Sequence, residues 1–121
     1  MIKKHTISFR NALRGLVWAL QTQPNYRIHL ILSFLALSGG FYFQISYFEF
    51  LVILNLIFVG LTIETINTAL EETNDAIDLK KRPDIGLAKD ISAGAMLIFA
   101  IGAFVIACTI FIPKILISFN I

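Results

Sequence analysis

Charge is what this chain has least of: 15% of its 121 residues are Asp, Glu, Lys or Arg, while 57% are hydrophobic. An ordinary soluble domain is roughly a quarter charged and roughly 45–50% apolar, so a soluble fold, a coiled coil and a disordered tail are excluded together. The mean hydropathy of +0.79 points to lipid as the solvent. Cysteine is nearly absent, and the lone Cys108 excludes an intrachain disulfide and reads as a small buried residue. Neither GxxxxGK[ST] nor GxGxxG occurs, which removes a phosphate cradle of the P-loop or dinucleotide-binding kind. The first apolar run begins near Ile28, too late and too long for a signal peptide, and no clear cleavage signal follows it.

The few charges leave long gaps. Residues 28–48 give 21 positions without Asp, Glu, Lys or Arg, and residues 91–113 give 23. Either stretch can cross a hydrocarbon core of about 30 Å at ~1.5 Å per residue. Between them, Phe50–Ile63 supplies only 14 uncharged residues. A span needs roughly 20, so this segment crosses only by taking Glu64 into the membrane. The expected fold is all-α, with spans at about 28–48, 49–70 and 91–113.

Nine of the ten basic residues precede the first span or lie between the second and third, and Lys114 is the exception. That asymmetry predicts a multi-pass protein of the inner (plasma) membrane with its N-terminus and polar machinery cytoplasmic. Over residues 2–22, Ile2, Phe9, Leu13, Leu16, Val17 and Leu20 share one side of a helix, with Lys3, Arg10 and Arg14 on its flank. A surface helix along the interface is expected there, with Trp18 among the headgroups and Pro24 ending it or opening the next helix. The alternative is an amphipathic helix packed on a soluble partner. His5 and His29 read as interface and packing residues. Ala93, Ala100, Ala103 and Ala107 fall on one side of the third span and would allow close helix packing.

Seven of the eight acidic residues lie from Glu64 to Asp90. Helical rotation from Glu64 places Asn67 at about −60°, Glu71 at about −20°, Asp75 at about +20° and Asp78 at about −40°, all on one face. If Glu49 marks the outer boundary, Glu64 lies ~22 Å into the core, Glu71 at its cytoplasmic edge and Asp75 beyond it. A carboxylate at that depth is a functional-site hypothesis by default. The bland alternative is a snorkelling Glu64 followed by a solvated helix end.

The stripe suits a reaction between an apolar and a water-soluble substrate. Glu64 could accept a proton from a lipid hydroxyl, while carboxylates one and two turns nearer the cytosol could hold Mg²⁺ with a nucleotide's phosphates. Lys89 and Asp90 stand at the cytoplasmic mouth of the third span, as an interfacial anchor pair or as phosphate contacts. A small proton-coupled exporter could also use one buried Glu, but that residue would be expected near the midplane. A regulatory subunit without catalysis is the other alternative.

Glu64-x-x-Asn67-Thr-Ala-x-Glu71-x-x-x-Asp75, followed by Ala88-Lys89-Asp90-x-x-Ala-Gly-Ala, closely resembles the bacterial diacylglycerol kinase family, which includes undecaprenol kinases. Phe9-x-x-Ala12-x-x-Gly15 and Asn25-x-Arg27-Ile-His29 look like its earlier blocks, so the resemblance covers nearly the whole chain. It implies a homotrimer with active sites built between protomers, passing the γ-phosphoryl group of MgATP to a lipid hydroxyl, with no nucleic-acid partner. It makes Glu64 the general base and Glu71 a metal ligand, with Asn67 ordering the site. It places Asp75, Lys89, Asp90, Lys4, Asn11, Lys80 and Lys81 as nucleotide contacts, and Glu64 with Ala93 beside the lipid.

One position departs from the family pattern. Where the family carries a Glu as second carboxylate on the metal and nucleotide, this chain has Gln23. An amide oxygen still coordinates Mg²⁺ but brings no charge, so a weaker hold on the ion or a weakly active protein is the expectation. Ile110-Phe-Ile-Pro113-Lys114 and Thr22-Gln-Pro-Asn25 look more like the undecaprenol-kinase branch. Three spans and a surface helix use up the length and leave no room for a soluble nucleotide-binding domain.

Overall fold

The structure is a computed structural model describing residues 2–121 apart from Leu79 and Lys81. The chain forms four helices: α1 (Ile2–Thr22), α2 (Pro24–Tyr42), α3 (Tyr47–Ile77) and α4 (Pro83–Ser118). Two of them, α3 and α4, are long and apolar enough to cross a membrane. The break between α1 and α2 is a single residue, Gln23, with Pro24 in the first turn of α2 where its missing N–H costs nothing.

The uncharged stretch 28–48 is divided between two helices. α2 closes at Tyr42 in a Schellman arrangement: Gln44 takes φ 51°, its N–H donates to the Phe41 carbonyl at 3.3 Å, and the Ile45 N–H donates to the Gly40 carbonyl at 3.1 Å. Ile45 folds back over Gly40, where an added Cβ would meet its Cδ1 at 2.8 Å and the Phe50 ring at 3.0 Å. Ser46 then caps α3 in a capping box, its Oγ accepting from the Glu49 N–H at 3.2 Å while Glu49 Oε2 accepts from the Ser46 N–H at 2.6 Å.

Helices α3 and α4 run antiparallel, and an ion pair joins them at each end. Lys114 Nζ lies 3.3 Å from Glu49 Oε2 at one end, and Lys89 donates to Asp75 at the other. The acids are 26 residues apart on α3 and the lysines 25 apart on α4, so the two helices keep register along ~38 Å. Helix α2 packs on α3, and α1 packs on both.

Burial is inverted relative to a soluble protein. The buried apolar residues are Ala19, Tyr26, Ile45, Ile53 and Ile110, whereas Phe34, Ile98 and Phe104 are 70%, 75% and 71% exposed. Buried alongside that small core are Glu64, Asn67, Thr68 and Ser92. Apolar side chains facing out and polar ones facing in suit an apolar solvent.

Within one copy, three of the four alanines of the α4 stripe border open space. Ala100, Ala103 and Ala107 border a cavity of about 480 Å³ between α2, α3 and α4, with Ile28, Leu32 and Leu56 among its other walls. Phe99 and Phe104 flank it, and the short alanines leave the space between the helices open.

Candidate active site

Of the acidic face expected from rotation, Glu64, Asn67, Glu71 and Asp75 stand as a ladder on α3, and Asp78 lies just beyond the helix as its C-cap. Glu64 is 3% exposed and Asn67 6%, while Glu71 and Asp75 are half-buried as the helix emerges. Asn67 Nδ2 donates to Glu71 Oε1 at 3.2 Å, and Asn67 Oδ1 accepts from Ser92 Oγ of α4 at 2.6 Å. One turn before Ser92, Lys89 donates to Asp75. That hydrogen bond, aided by the nearby Asp75, Glu71 and Glu72 charges, holds the Lys89 ammonium above the ordinary lysine range.

Two participants were not evident from the sequence. His29 reads there as a packing residue, but its Nε2 lies 4.0 Å from Glu64 Oε2. Its ring also lies against Phe99, with centroids 6.2 Å apart. Gly60, one turn before Glu64, makes this approach possible: a Cβ there would meet the Phe99 ring at 2.6 Å and His29 Nδ1 at 3.5 Å. Ser92 is the second, and its only sequence signal is its place two residues after Asp90.

Thr68 completes the buried set. Thr62, Thr65 and Thr73 on the same helix donate to carbonyls four residues back, but Thr68 Oγ1 is enclosed with no hydrogen-bond partner among the described residues.

The remaining expected contacts lie outside this network. Gln23 is half-buried at the α2 N-cap, and its backbone N–H donates to the Ala19 carbonyl at 2.8 Å. Lys4, Asn11, Asp90 and Ala93 are exposed, and among the described residues none of their side chains joins the ladder. Lys80 is exposed, with its backbone N–H donating to Asp78 Oδ1 at 2.8 Å. The nucleotide contact expected at Lys81 lies outside the described residues. Arg82 pairs with Asp84 at 2.7 Å and holds that carboxyl below its usual range.

No three described His, Cys, Asp or Glu side chains converge as a ready-made metal cage. The donor chemistry nevertheless fits Mg²⁺. Glu71 spends Oε1 on Asn67 and keeps Oε2 clear of protein hydrogen bonds among the described residues. Mg²⁺ characteristically takes one or two carboxylates and draws its other ligands from phosphates and water.

A family profile described as prokaryotic diacylglycerol kinase matches residues 10–111. The chain belongs to the prokaryotic diacylglycerol kinase family. It is a lipid kinase, and both halves of the ladder, Glu64–Asp75 on α3 and Lys89–Ser92 on α4, fall within the matched residues. An undecaprenol kinase of Bacillus subtilis (strain 168) is 36% identical over 107 residues, covering 88% of this chain and 87% of that protein. A diacylglycerol kinase of Synechocystis sp. is 29% identical over 111 residues, covering 91% of this chain but 63% of its own length.

Proposed function

We propose that this protein transfers the γ-phosphoryl group of MgATP to the primary hydroxyl of undecaprenol, with diacylglycerol as the alternative acceptor. The observation that carries the reading is the ladder itself, which runs from the buried Glu64 to the half-exposed Asp75 and is tied to α4 by Ser92 and Lys89. It joins an apolar end to a water-facing end within one helix. The undecaprenol kinase relative is the more similar of the two and is covered almost throughout, which favours the polyprenol.

Glu64 takes the proton of the lipid hydroxyl as its oxygen attacks the γ-phosphorus. The bond from that phosphorus to the β–γ bridging oxygen breaks, and ADP leaves with the electron pair. His29, beside Glu64, lines the apolar cavity between α2, α3 and α4 and is placed to steady the carboxylate. Asn67 orders Glu71, and Glu71 with Gln23 would hold Mg²⁺, which when bound neutralises phosphate charge. Lys89, Asp75 and Asp90, with Lys4, Asn11, Lys80 and Lys81, would face the nucleotide, and Ala93 the lipid.

In this reading α2 is the first of three spans, its 19 residues reaching ~28 Å, and α1 lies on the cytoplasmic surface. The ion pairs at the two ends of α3 and α4 would then sit in the two headgroup regions. Three copies complete the site, since one copy leaves Gln23, Lys4 and Asn11 apart from the ladder and much apolar surface exposed.

Purified protein in lipid with Mg²⁺ and labelled ATP is expected to phosphorylate undecaprenol in preference to diacylglycerol, assayed side by side. Glu64→Gln is expected to abolish transfer while leaving the oligomer intact. Full activity in that variant would remove Glu64 as the base.

A further inference from the structure

Asn67 is held from two sides by groups of different chemistry. An ionised Glu71 can only accept hydrogen bonds, so the carboxamide turns Nδ2 toward it, at 3.2 Å. Oδ1 then faces α4, where the Ser92 hydroxyl at 2.6 Å must be the donor. Asn67 and Ser92 are both buried, which keeps water from taking the place of the Ser92 hydroxyl. Ser92 is also set apart by what it does not do. Ser8, Ser33, Thr65, Thr73, Thr109 and Ser118 return their hydroxyls to carbonyls four residues back in their own helices. Among the described residues, Ser92 is the helical hydroxyl that donates across to another helix.

We propose that Ser92 is a positioning residue that fixes the flip state of the Asn67 carboxamide, and through it the rotamer of Glu71. With Ser92 donating to Oδ1, the opposite flip would aim Oδ1 at the Glu71 carboxylate and leave two acceptors face to face. Donation to Oδ1 also polarises the amide and strengthens the bond from Nδ2 to Glu71. Oε1 is thereby engaged, and Oε2 is presented in one direction for the cation that accompanies the nucleotide. This rests on the reading of Asn67 and Glu71 given above.

Three variants of the full chain in lipid test it. Ser92→Ala and the near-isosteric, weakly donating Ser92→Cys are both expected to raise the half-saturating Mg²⁺ concentration on the order of three- to tenfold, with a smaller change in kcat at saturating metal. Ser92→Thr, which keeps the hydroxyl, is expected to restore the wild-type requirement. In the protein without nucleotide, the side-chain NH₂ resonances of ¹⁵N-labelled Asn67 are expected to shift in the Ala and Cys variants and hold their place in the Thr variant. An unchanged Mg²⁺ requirement together with unmoved Asn67 resonances in Ser92→Cys would overturn the proposal. Asn67→Ala separates the two levels. If it keeps wild-type activity and Mg²⁺ dependence, the underlying site reading fails. If it is impaired while Ser92→Cys is normal, only the role of Ser92 fails.

Discussion

His29 is the residue whose meaning changes most between chain and fold. Its apolar neighbours Ile28 and Leu30 make it look like a packing histidine, yet it reaches within 4.0 Å of the buried Glu64. His29→Ala is expected to slow transfer by roughly fivefold, the loss of one interaction of about 1 kcal/mol, against abolition in Glu64→Gln. Initial rates at saturating ATP compare the two. Gln23 is the converse case, legible at once as a residue of the wrong charge. If it is a ligand, Gln23→Glu is expected to lower the Mg²⁺ concentration for half-maximal activity. An unchanged Mg²⁺ dependence would take position 23 out of the metal site.

At the scale of elements, α3 and α4 act as a clamped antiparallel pair with Gly60 as the point of close approach. Gly60→Leu is expected to displace Phe99 and His29 together, because even a Cβ meets the Phe99 ring at 2.6 Å. Thermal inactivation in detergent is expected to come at lower temperature in that variant. The Lys89–Asp75 clamp carries a pH dependence whose sign follows from Lys89. Its hydrogen bond to Asp75 raises the folded-state value above the ordinary 10.5, so its contribution is complete below 10.5 and is lost as pH rises through the folded value. The difference in unfolding temperature between the wild type and Lys89→Met is therefore expected to hold steady from neutral pH to about 10 and to close at higher pH.

For the whole molecule, one copy buries few apolar side chains and leaves Gln23 apart from Glu71's ladder, which is the reason to place the active site between copies. Mixed oligomers of Glu64→Gln with Gln23→Ala are then expected to recover activity when the two inactive chains are refolded together. Recovery occurs only if residue 23 and residue 64 of one site come from different copies. Absence of recovery, with both single variants inactive and both assembling normally, would place the site within one chain.

Rotation about a helix axis and the spacing of charges are properties of one segment, and much that depended on them was legible in the chain, although the uncharged stretch 28–48 proved to be divided between α2 and the start of α3. The all-helical class, the helix over residues 2–22, the Glu64–Asn67–Glu71–Asp75 face and the break at Pro24 all follow from such local periodicity. Which residues of different helices meet is set by register and crossing, which no periodicity encodes. The pairing of Ser92 with Asn67, the approach of His29 to Glu64 over Gly60, and the cavity beside the alanine stripe therefore belong to the tertiary structure. Sequence alone determined that the middle apolar stretch runs into a carboxylate, Glu64. Only the packed helices decided which neighbours receive it, because a buried polar group is satisfied by contacts distant in the chain.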